Sequence, residues 1–146
     1  MKTALALLVA FCAVPAGAHE SLPGFLEILE KQPGVYQVVW KVPAIEGAPP
    51  AIAFEPPPAC RALGDMDSPL TPGALTERWL MQCSPGLTGQ RIEIAGLDRT
   101  MLDVLVRIRF AGGTVVSQMV RPLESGFVVA QPESGHVDRW GYLRMA

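Results

Sequence analysis

The chain has 146 residues, with 12 Lys and Arg against 14 Asp and Glu, for a formal net charge of −2. That length suits one domain with a single modest core. The charge balance lacks the basic patch that nucleic-acid binding needs, and no polybasic stretch invites an anionic membrane surface.

The first residues read as an export signal. Lys2 supplies the positive start, Ala4 to Val14 an apolar run of 11 residues, and Ala16-Gly17-Ala18 a small-residue cleavage site. The run is too short to span a bilayer, which takes about 20 residues. The competing reading is an uncleaved N-terminal anchor. Cleavage after Ala18 makes His19 the new N-terminus and leaves 128 residues, with 11 basic against 14 acidic after Lys2 is lost, a charge of −3. The expected divisions are a signal peptide at 1–18, an exported, periplasmic β-domain at 19–134 and a C-terminal tail at 135–146. Cys12 goes with the leader, and the residues around it do not form a lipobox.

Phe25 to Glu30 reads as a first strand, with Leu26 and Ile28 on one face and Glu27 opposite, although six residues also fit a helical turn. Pro33-Gly34 marks a turn. Val35 to Val42 is a stronger strand, placing Tyr36, Val38, Trp40 and Val42 on one face, so the pair predicts a hairpin. Prolines at 43, 49, 50, 56, 57 and 58 break regular structure, leaving Ala51 to Phe54 as a short edge strand. Arg61 to Gly73, with Gly64, Pro69, Pro72 and Gly73, is expected to be a mobile, turn-rich loop.

Leu75 to Cys83 reads as a strand with Trp79, Met81 and Cys83 on one face, and Arg91 to Ile94 as a short strand with Ile92 and Ile94 inward. The clearest alternation follows the stretch Gly96 to Asp103: Val104, Val106, Ile108 and Phe110 share one face, and Asp103, Arg107 and Arg109 the other, where Leu105 is the exception. Ala111-Gly112-Gly113 turns the chain into Thr114 to Val120, and Phe127 to Ala130 is a last short strand. Seven or eight short strands without a helical period predict an all-β fold, an antiparallel β-sandwich of immunoglobulin-like architecture. The Cys–Trp–Cys order of true immunoglobulin domains is absent, because Trp40 precedes both mature cysteines.

Cys60 and Cys83 form an even pair in an exported chain and most simply make a disulfide closing a loop of about 22 residues, worth about 3 kcal/mol. Read instead as two metal ligands, they lack a Cys-x-x-Cys spacing or a nearby His. No Gly-x-Ser-x-Gly elbow, His-Glu-x-x-His motif or phosphate-binding glycine loop is present, so the expectation is a protein that is not an enzyme. One chemical idea arises at His19. As an N-terminal residue its α-amine and imidazole can chelate Cu(II) as a pair, and His136 could add a second imidazole; imidazole suits Cu, Ni and Zn. The plainer reading is an exposed terminal residue and a tail residue. Trp140, Tyr142 and Arg144 lie in the tail, where aromatic and basic residues suit a membrane interface or a partner, and a frayed end or one further strand fits them equally.

Several stretches together resemble a known family. Ala18-His19-Glu20, Leu22-Pro23-Gly24-Phe25-Leu26-Glu27-Ile28 and Tyr36-Gln37-Val38-Val39-Trp40-Lys41-Val42-Pro43 resemble the start of HupE/UreJ-like proteins, and Ile94-Ala95-Gly96-Leu97, Thr100 and Asp103-Val104-Leu105-Val106-Arg107 resemble the same family's extracytoplasmic domain. The resemblance runs over nearly the whole mature chain, and its motifs are structural. It implies an exported β-domain that ordinarily precedes a multi-pass membrane domain, with accessory roles for hydrogenase or urease and a link to nickel or cobalt supply. No run of 18 or more apolar residues is present here. The expected role is therefore an accessory or binding module for an envelope membrane protein. The alternative is a small periplasmic copper- or nickel-binding protein that uses His19. Cu, Ni and Co are the metals in question.

Overall fold

A computed structural model describes residues 22–131, and of Leu70 and Thr71 the backbone alone. Within these residues lie ten strands: β1 (Gly24–Gln32), β2 (Val35–Pro43), β3 (Ala53–Glu55), β4 (Cys60–Asp67), β5 (Leu70–Thr71), β6 (Ala74–Cys83), β7 (Arg91–Ala95), β8 (Val104–Arg109), β9 (Val115–Val120) and β10 (Gly126–Val128). A single 3-10 turn occupies Leu97–Arg99. The larger sheet runs β4-β6-β2-β1-β8-β9, with β5 also paired to β6, and the smaller runs β10-β7-β3.

Alternation writes this architecture strand by strand. Tyr36, Val38, Trp40 and Val42 are all buried, as are Leu26 and Ile28 beside them, because the β1–β2 hairpin sets Leu26 opposite Trp40 and Ile28 opposite Val38. Its turn needs glycine: Gly34 has φ +75°, a region that side chains with a Cβ avoid. On β6 the inward row is Trp79, Met81 and Cys83, and on β8 it is Val104, Val106 and Ile108. The smaller sheet supplies Phe54, Ile92 and Ile94 to the same core. Phe54 of β3 stacks on Trp79 of β6 with ring centroids 6.1 Å apart, so an aromatic pair joins the two layers. The molecule is thus an all-β, two-sheet sandwich around one core.

Two expectations need correction. Arg61 to Gly73 is not a loop throughout: β4 and β5 occupy most of it, and these lift the count of strands to ten. The reason is physical. β4 is an edge strand with most of its residues exposed, so burial writes no alternation into it; backbone pairing to β6 and the Cys60–Cys83 disulfide hold it instead. The sandwich is also not wholly antiparallel. β1 and β8 run parallel, from Gly24 opposite Val104 to Leu29 opposite Arg109. Hairpin signals report only neighbours in sequence, and this pair joins strands far apart along the chain. The stretch before β8 carries the 3-10 turn. Gly96, at φ +76°, begins the 3-10 turn, and a Cβ there would collide with the Ala51 carbonyl.

Candidate docking surface

The larger sheet has a second face, turned away from the smaller sheet, and its side chains can be read from the register. One row across it runs Leu63, Leu80, Gln37, Leu29, Arg109 and Val115. A second runs Arg78, Val39, Glu27, Arg107 and Ser117, and a third Lys41, Phe25, Leu105 and Met119. An antiparallel sheet with one solvated face ordinarily shows polar residues there. This face mixes charge with apolar side chains: Val115 is 52% exposed, Leu80 44% and Met119 39%, while Phe25, Leu29, Val39 and Leu105 are half-buried. Leu105 breaks the otherwise polar outer row of β8 for this reason.

The charges on this face are unevenly matched. Arg109 Nη2 lies 3.3 Å from Glu27 Oε1, and Arg121 Nε lies 3.9 Å from Asp103 Oδ2. Exposed pairs of this kind are worth about 0–1 kcal/mol. Arg107, flanked in register by Glu27 and Ser117, is different: its Nε is buried and has no hydrogen-bond partner among the described residues. Glu27 serves Arg109 instead. A shallow cleft of about 420 Å³ lies over this part of the sheet, lined by Leu29, Arg107, Arg109, Phe110, Val115 and Ser117 among others.

The residues singled out in the sequence fall as follows. Cys60 and Cys83 are directly opposite each other on β4 and β6 and form a disulfide. His19 and His136 lie outside the described residues, as do Trp140, Tyr142 and Arg144. Among the described residues no group of three or more His, Cys, Asp or Glu is placed to hold a metal ion. Both described cysteines lie in the disulfide, so neither offers a free thiolate to a metal. No helix among them is long and apolar enough to cross a membrane. Trp40 and Trp79 fill the core. The alternation assigns Phe25, Leu29 and Leu105 to the solvent side, and as apolar residues there they are the signal in the sequence for this outer face.

No protein-family model matches the chain, and no curated protein matches it.

Proposed function

We propose that this chain is a non-enzymatic binding module of the cell envelope, the role implied by its resemblance to the extracytoplasmic domain of HupE/UreJ-like proteins, and that it docks on a membrane protein through the outer face of the larger sheet. The observation that carries the reading is the mixed composition of that face, where Leu80, Val39, Leu29 and Leu105 sit half-open to solvent in consecutive rows. Apolar patches rimmed by charge mark interaction surfaces. The export signal read at 1–18 supports the compartment.

The test is co-purification. Full-length chain, expressed with its own leader, is recovered from envelope membranes solubilised in mild detergent. The expected result is a stable association that a Val39→Glu, Leu80→Glu double variant weakens at least about tenfold, the scale of losing one good interfacial anchor. Circular dichroism checks that the variant keeps its sheet content. A wild-type chain that runs alone in every extract overturns the reading.

A further inference from the structure

Among the described residues, β4, β9, β3 and β10 end the two sheets, with the two-residue β5 beside β4 along β6. A free edge is a template for another strand, and proteins guard such edges with charge, proline, bulges or shortness. β4 is guarded: it carries Arg61, Asp65 and Asp67, and its register with β6 breaks between Leu63 and Asp67. β3 and β10 have only three residues each. β9 has none of these defences. It is Val115-Val116-Ser117-Gln118-Met119-Val120, six residues without a charge or a proline, in unbroken register with β8 from Val115 opposite Arg109 to Val120 opposite Val104.

The free backbone groups of β9 can be assigned. The Phe110 N–H donates to the Thr114 carbonyl at 2.9 Å, at the head of the β8–β9 ladder. Antiparallel partners alternate between hydrogen-bonded and non-hydrogen-bonded pairs. Val116 and Gln118 therefore turn their N–H and C=O toward β8, and Val115, Ser117 and Met119 turn theirs to the outside. Along that outer row the Met119 carbonyl accepts from Gln118 Nε2 at 3.4 Å, a long bond from its own neighbour.

We infer that β9 pairs with β9 of a second copy of this chain, antiparallel about a two-fold axis at Ser117, which joins the two larger sheets into one. Self-complementarity selects a second copy over a foreign strand. An uncharged strand meets itself without like-charge repulsion, which directly opposed strands otherwise suffer. The register follows from the outward groups. Centred on Ser117, Ser117 faces Ser117 of the second copy and Val115 faces Met119, so all three outward residues of each strand are bonded. Centring on Val116 or Gln118 instead leaves one outward residue of each strand opposite a loop residue. The same register brings Val115 and Met119, both partly exposed on the outer face, into apolar cross-strand pairs. The two-fold arrangement is closed, so association stops at the dimer. It uses the β9 edge, at the far end of the rows that hold Val39 and Leu80, and leaves those two residues open, so it stands or falls independently of the partner proposed above.

Sedimentation of the purified full chain over a range of concentrations tests this. The expected result is a monomer–dimer equilibrium. Ser117→Cys is expected to give a cross-linked dimer on mild oxidation, because residues facing each other on a two-fold axis lie within the Cα separation a disulfide spans; Ser68→Cys, exposed and away from β9, is expected to give no cross-link. Ser117→Pro removes an outward N–H that the β8 ladder does not use and should weaken dimerisation at least about tenfold. Ser117→Lys opposes two like charges on the axis and should do the same, and it carries the test where the proline variant fails to fold. A wild-type chain that stays monomeric at its highest soluble concentration overturns the inference. So does a dimer that neither cross-links in the Ser117→Cys variant nor responds to Ser117→Lys, or a monomer whose β9 instead takes up an extended peptide.

Discussion

Tyr36 shows what one polar atom does in an otherwise apolar layer. Its ring is buried, and its hydroxyl accepts the Leu87 N–H at 3.3 Å. Removal from water pushes the phenol above its ordinary value of 10.0, and the nearby Glu30 carboxylate adds to this, while the Leu87 bond pulls the other way. The sign of the stability effect follows. The unfolded chain loses this proton first, so the native state's advantage is intact below about pH 10 and drains away as pH rises through the higher folded value. Tyr36→Phe should leave the Leu87 N–H without a partner and cost about 1–3 kcal/mol in urea unfolding at neutral pH. It should also flatten the fall in stability with pH above 10. A variant as stable as the wild type would mean that the Leu87 N–H finds another acceptor.

At the scale of elements, β10 is a short strand whose place is tied by side chains. It has three residues against β7, and the turn before it is tied by Ser125, whose hydroxyl donates to Glu93 Oε1 at 2.6 Å. Arg91 Nε holds the other oxygen at 2.7 Å. The Ser125 bond first, and then Arg91, hold the Glu93 carboxyl below its ordinary value of 4.5. A lowered acid pKa contributes stability above the unfolded value, and this is lost as pH falls through the folded one. Ser125→Ala should therefore lower the denaturation midpoint at neutral pH, and the gap from wild type should close below about pH 4.5. A gap that is constant with pH would mean that Ser125 acts through packing alone. Strands such as β2, β7 and β8 were legible in the sequence because one face of each is buried, and burial selects apolar residues at every second position. The turns at Gly34 and Gly113 were legible because both take a positive φ that few other residues tolerate. β4 was not legible, since an exposed edge selects no pattern, and neither was the parallel partner of β1, since nothing local encodes a strand so far along the chain. Of the candidate site, Leu105 was visible as an exception, but only the register showed that it continues the rows of Phe25 and Met119.

For the whole molecule, the Cys60–Cys83 bridge matters because it clamps the outermost strand, β4, to β6 across 23 positions of chain. Closing a loop of this size restricts the unfolded ensemble by about 3 kcal/mol. A Cys60→Ser, Cys83→Ser double variant should unfold at a lower temperature by that measure, and reductant should bring the wild type down to match it. Dimerisation through β9, on the opposite edge, should survive both treatments. The parallel pairing of β1 with β8 has a further consequence, in time rather than space. Leu29 is made 75 residues before Val104, the first residue of the strand that will lie beside β1. At about 5–20 residues per second of synthesis, that interval is roughly 4–15 s. Throughout it β1 can hold β2 on one flank while the other waits unsatisfied, its inward Leu26 and Ile28 without the Val104, Val106 and Ile108 that will share their layer. A nascent chain of this design needs either protection during that delay or a collapse that keeps β1 vacant until β8 arrives.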